Sequence, residues 1–112
     1  MNSQEVMQLG KKLMGSRFEG VYPLNRMPPL ASIPKGHGFV VNTQTDNLPG
    51  EHWLAVYVGG ASIRAFDPMG MYYPAKLVGY LHLGNKYVYY NRLRYQHPLS
   101  KLCGLYNLLW LA

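Results

Sequence analysis

WLAVYVGGASIRAF, residues 53–66, decides the fold. Its first six residues form an unbroken apolar run rich in β-branched and aromatic side chains, the composition of a buried strand. Gly59-Gly60 then supplies a turn that lets the chain double back, and SIRAF (62–66) returns as the partner strand. Antiparallel pairing carries a consequence beyond the strands themselves. The residue just before the first strand, His52, and the residue just after the second, Asp67, come to the same end of the hairpin.

Upstream, GFVVNT (38–43) reads as a strand and QTDNLPGE (44–51) as a turn-rich loop. FEGVY (18–22) is a further short strand, and residues 23–37, with four prolines and little periodicity, an ordered loop. The chain opens with a helix capped by Ser3, with Val6, Leu9 and Leu13 at helical spacing and Gly15 as its stop. Downstream, DPMG (67–70) is a turn. Pro74 suits the first position of a helix running through Leu83 and closed by Gly84. KYVYYN (86–91) is a strand that RLRYQ (92–96) extends or follows as a separate short strand, and HPLS (97–100) is a loop. Ser100 caps a last helix over 101–112, apolar nearly all round and therefore expected to be buried. The order of elements predicts one domain over 1–112, of the α+β class, with helices packed on a small mixed or antiparallel sheet.

The 112 residues are 48% hydrophobic and 14% charged, a globular composition. No apolar run is long enough for a transmembrane helix, and the first fifteen residues are amphipathic, without the apolar stretch of a secretory signal. An intracellular location and no membrane partner are the expectation. The net charge of +6 comes from eleven Lys and Arg against five acids. It favours polyanions, so non-specific, salt-sensitive DNA contact is expected if any, with no nucleic-acid-binding motif to direct it. The single cysteine, Cys103, excludes an internal disulfide and a cysteine metal site. His37, His52, His82 and His97 show no metal-ligand spacing, so no metal is expected.

Cys103 falls near the start of the last helix, where first-turn N–H groups and the helix dipole favour a thiolate. Read from the helix alone, a small buried hydrophobe is the better description of it. Gly104 beside it admits a close backbone or substrate. His52 stands at a strand edge, with Trp53 able to pack beneath it. Asp67 can bond the far ring nitrogen of that histidine and hold its tautomer, or cap only its own turn. Gln96, just upstream of Cys103, can return a side-chain amide to an oxyanion, beside the Cys103 N–H.

Taken together and in this order, GEHWLAVYV around the histidine, FDPMG around the acid and QHPLSKLCG from glutamine to cysteine resemble the adenain family of adenovirus-type cysteine endopeptidases. That family belongs to the superfamily of the ubiquitin-like-protein proteases. FEGVYP and GFVVNT resemble the segments that precede the histidine in such proteins. The resemblance implies a papain-like, adenain-like fold with the nucleophile at the N-terminus of a buried helix. It implies that Cys103 is the nucleophile, His52 general base and then acid, Asp67 its orienter and Gln96 an oxyanion donor, with Trp53 and Gly104 shaping the site. It also implies cleavage of viral or virus-derived precursor proteins, capsid precursors among them, after small residues such as Gly, in a host nucleus or a virion. Some members are stimulated by a peptide cofactor and by DNA. With one cysteine, no disulfide-linked peptide and no other cofactor is expected here. The chain departs from the family in carrying Asp67 where Glu is common and in being C-terminally short. Two other readings remain: an isopeptidase or protease for a ubiquitin-like protein, told apart by a preference for a Gly-Gly tail, and an inactive structural or DNA-associated relative.

Overall fold

The computed structural model describes residues 2–43, 52–68, 70, 73–92 and 103–112, with backbone alone at Cys103 and Gly104. Eight regular elements follow one another: α1 (Ser3–Met14), β1 (Phe18–Pro23), β2 (His37–Asn42), β3 (Trp53–Val58), β4 (Ser62–Phe66), α2 (Ala75–Leu81), β5 (Tyr87–Tyr90) and α3 (Cys103–Leu111). The five strands form one sheet in the order β1-β2-β3-β4-β5. Its two outer pairs are parallel and its two inner pairs antiparallel, so the sheet is mixed. This is the expected α+β class.

The pleat of β2, β3 and β4 divides the core in two. Val40, Trp53, Ala55 and Phe66 face α1 and α3, where they meet Val6, Met14, Phe18, Leu108 and Leu111. The alternate residues Phe39, Val41, Leu54, Val56, Val58, Ile63 and Ala65 face Leu77 and Leu81 of α2. A strand buried on both faces has no polar alternation, which is why β3 reads as a continuous apolar run. Burying each large apolar side chain such as Phe18, Phe39 or Leu108 contributes about 1.5–3 kcal/mol. The centre of the sheet is therefore the rigid platform from which the strand ends project. The parallel β4–β5 pair requires a crossover, and α2 provides it on the second face.

Five local expectations are corrected. The cap of α1 is Asn2 and not Ser3, because Asn2 and Glu5 form a reciprocal capping box: Glu5 N–H to Asn2 Oδ1 at 2.8 Å and Asn2 N–H to Glu5 Oε1 at 2.9 Å. The proline-rich segment 23–37 contains two 3₁₀ turns, Leu24–Arg26 and Leu30–Ser32. The middle helix is shorter, with Pro74 as its N-cap; it tightens into a 3₁₀ turn at His82–Gly84 and ends on Asn85 in the left-handed region (φ 53°). The last helix is not buried all round: Leu108 and Leu111 are in the core, but Leu109 is 60% exposed. Strand β5 runs only from Tyr87 to Tyr90, with Asn91 and Arg92 outside it. Residues 44–51, 93–100 and Ser100's capping role lie outside the described residues. Among the described residues, no helix is long and apolar enough to cross a membrane.

Candidate active site

Four chain segments meet at one end of the sheet: the start of β3, the end of β4, the end of β5 and the start of α3. His52 immediately precedes β3. Continuing the β2–β3 register, in which Asn42 faces Trp53, sets Thr43 opposite it. Thr43 donates twice to the His52 carbonyl, from its N–H at 3.0 Å and from Oγ1 at 2.9 Å. The backbone under the imidazole is thus fixed while the side chain keeps 23% exposure. Trp53 points the other way along the pleat, into the core beneath.

Asp67 follows β4 directly and is fully buried. Its Oδ1 lies 2.8 Å from Nε2 of His52. The sequence expectation that the hairpin brings these two residues to one end is met by the geometry. Burying a carboxylate costs several kcal/mol unless it is paired and hydrogen-bonded. The imidazole pairs with it as a 2.8 Å ion-pair contact, and a carboxylate so placed favours an imidazolium. The Asp-Pro turn also forms, with the Gly70 N–H donating to the Asp67 carbonyl at 2.8 Å.

Two residues that sequence reasoning passed over hold Asp67. Asn91 accepts from the Asp67 N–H at 2.7 Å through Oδ1 and donates to the Asp67 carbonyl at 2.6 Å through Nδ2. The Tyr73 hydroxyl accepts from the same N–H at 3.2 Å, donates towards the Asn91 carbonyl at 3.1 Å, and sits in close contact with Asn91 Oδ1. Burial above all, with the Asp67 charge adding to it, pushes the Tyr73 hydroxyl up to about 12, so it is a neutral phenol at any ordinary pH.

Cys103 is the first residue of α3, and Asn107 follows one helical turn later. Asn107 is fully buried and donates from Nδ2 to the Trp53 carbonyl at 2.8 Å. The reason is legible in the register. Extending the β3–β4 pairing beyond Ala55↔Phe66 sets Pro68 opposite Trp53, and a proline has no N–H to give. The helix supplies the missing donor, and so the start of α3 is tied to the residue after His52. Gly104 follows Cys103 in the helix, and Gln96 lies outside the described residues. Among the described residues no three His, Cys, Asp or Glu side chains gather to hold a metal ion.

The fold has a solved counterpart. The ASFV pS273R protease superposes with a TM-score of 0.65 at 18% identity, over 97% of this chain and 55% of that one. A selenomethionine form of the ASFV pS273R protease aligns over 66% of this chain and 33% of its own, at 23% identity and TM-score 0.48. The chain thus spans about half the length of the protease it matches. No protein-family model matches the sequence, and no curated protein matches it significantly. At this level of identity the likeness is one of fold, and the chain has a protease's α+β fold.

Proposed function

We propose that the chain is a cysteine protease, with Cys103 as nucleophile, His52 as base and Asp67 as the group that orients and stabilises that base. The observation that carries this reading is the 2.8 Å contact between His52 Nε2 and a fully buried Asp67, at the sheet end to which the Cys103 helix is tied. The shared fold with a viral protease supports it, as does the resemblance to the adenain family. With Nε2 given to Asp67, Nδ1 is the ring nitrogen that takes the thiol proton.

The thiolate attacks the carbonyl carbon of the scissile peptide, and the C–O π electrons move onto oxygen. The Cys103 N–H and the Gln96 amide donate to that oxyanion. Collapse breaks the C–N bond, and the imidazolium returns its proton to the leaving amine. Water, deprotonated by the same imidazole, then cleaves the thioester and restores the thiol. Gly104 shapes the groove, and Trp53 supports it from the core beneath. Its substrates are viral or virus-derived precursor proteins cut after small residues such as Gly, inside a host cell or particle. DNA is a non-specific stimulant through the +6 charge, and any peptide activator binds without a disulfide.

The pH profile of Cys103 alkylation tests the reading without a substrate. An inflection well below the free-thiol value of about 8.5, lost in His52→Ala, is expected. A slow thiol with the same profile in both proteins overturns it. Cleavage of Gly-containing peptides, abolished by Cys103→Ala, is the companion assay, and a Gly-Gly tail preference would redirect the reading to an isopeptidase.

A further inference from the structure

Strand β5 ends at Tyr90, paired with Ala65 of β4 in the parallel register. One residue further, the Asn91 N–H still reaches the Ala65 carbonyl at 3.4 Å, and there the ladder stops. Asp67 lies beyond it, and the side chain of Asn91 meets both its N–H and its carbonyl. It offers an acceptor to the N–H and a donor to the carbonyl at 2.7 and 2.6 Å, the complementary pair a backbone would have offered. Only one orientation of the amide makes both bonds. The Asp-Pro turn gives the Asp67 carbonyl another donor, from Gly70, but the Asp67 N–H is held by Asn91 and Tyr73. Fixing both backbone groups of a residue fixes the direction of its Cα–Cβ bond. In Asp67 that bond carries the buried carboxylate facing His52.

We propose that Asn91, braced by the Tyr73 hydroxyl, is a positioning residue that aims the Asp67 carboxylate at His52. The inference rests on the protease reading above and deepens it: the acid is supported by a partner 24 residues downstream, delivered by the α2 crossover. The packing of Tyr73 serves the same end, since its ring meets that of Tyr90 edge-on at 4.7 Å and so is anchored to the strand that carries Asn91. A carboxylate turned away from the imidazole stabilises the imidazolium less, and the thiolate then loses the cation that lowers its pH of formation.

The test is the pH profile of Cys103 alkylation by iodoacetamide in the wild type, Asn91→Ala, Asn91→Asp, Tyr73→Phe, Asp67→Asn and the double variant Asn91→Ala/Asp67→Asn. Asn91→Asp keeps the shape and the acceptor but turns an oxygen against the Asp67 carbonyl. Both Asn91 variants are expected to raise the inflection by about one pH unit or more, in the direction of Asp67→Asn. Tyr73→Phe, which keeps the ring packing, raises it less and carries the test if Asn91→Ala does not fold. The double variant is expected to match Asp67→Asn alone, because an aiming residue has nothing left to aim. A low wild-type inflection that Asn91→Asp and Tyr73→Phe leave unmoved overturns the inference while the protease reading stands. Additive shifts in the double variant also overturn it, since they report general loosening. A wild-type thiol that titrates near about 8.5 removes the protease reading and the inference together.

Discussion

Removing the amide of Asn107 makes the most direct perturbation of the scaffold. Its Nδ2 serves the Trp53 carbonyl at 2.8 Å, and Pro68, opposite Trp53 by register, has no N–H to replace it. Asn107→Ala therefore takes a side-chain donor from a buried carbonyl, at about 1–3 kcal/mol. It also removes packed atoms from a fully buried position, for about 1 kcal/mol more. A loss of about 2–4 kcal/mol lowers the melting midpoint by roughly 6–16 °C, taking about 3–4 °C per kcal/mol for a domain of this length. Asn107→Asp sharpens the case through pH. A carboxyl buried against a carbonyl is favoured in its protonated form, so its folded-state pKa lies above the unfolded value of about 3.9. Such a group contributes stability that is fully present below about 3.9 and is lost as pH rises through the folded value. Relative to wild type, Asn107→Asp is thus expected to be worst at neutral pH and to recover on acidification towards about pH 4, where its OH can donate to Trp53. Thermal melts by circular dichroism across pH 4–8, taken as differences from wild type, read both effects. An Asn107→Ala penalty under about 0.5 kcal/mol, or an Asn107→Asp deficit independent of pH, refutes the tie between α3 and β3.

Three further outcomes follow from the packing and the tyrosines. A Cβ at Gly10 would lie 2.4–2.6 Å from ring atoms of the fully buried Phe18; Gly10→Ala gains about 1 kcal/mol of helix propensity but overpacks by about 1–3 kcal/mol, so a lower urea midpoint is expected and a higher one refutes the clash. Thr43→Val removes one of two bonds to the His52 carbonyl and leaves the N–H bond in place; with no orphan created, the loss is about 0.5–1.5 kcal/mol in the same urea assay, and a cost like that of Asn107→Ala would contradict this. Burial raises Tyr73 and Tyr80 to about 12, and the Tyr80 hydroxyl donates to the Pro28 carbonyl at 2.6 Å. Their folded values exceed the unfolded 10, so the stability they contribute is present below pH 10 and is lost between pH 10 and 12. Phenolate absorbance is expected to show a late, cooperative phase that coincides with unfolding, and simple titration of every tyrosine near pH 10 would refute it.

The hairpin was legible because its signal is local. An apolar run, a Gly-Gly turn and a second apolar strand force a register, and the register carries His52 and Asp67 to one end whatever the rest of the chain does. The class of fold was legible from the order of elements. What escaped were contacts that depend on docking between distant segments. Asn91 reads as a polar strand end and Asn107 as an odd polar residue in an apolar helix; neither has a motif, because each binds backbone, which every sequence offers. Pro68 was the available clue, since a proline facing a strand start leaves a carbonyl in want of a donor. The misread cap of α1 was local and recoverable: Asn2 and Glu5 have the capping-box spacing that Ser3 lacks.

The mixed topology explains why the site can be built at all. Strand β3 starts at the site end and β4 finishes there, as any hairpin would allow. In a plain antiparallel meander, β5 would run back and its last residue would emerge at the opposite end, far from Asp67. The α2 crossover makes β5 parallel to β4 instead, so both strands deliver their final residues to the same place. Asn91 then meets Asp67 one step past the ladder, Thr43 meets His52 one step past another, and Asn107 stands in where Pro68 cannot donate. At each of these ladder ends a side-chain hydrogen bond continues or reinforces what the backbone began. The rigidity of the sheet is thereby extended by one residue to the two side chains that face each other at this end, His52 and Asp67.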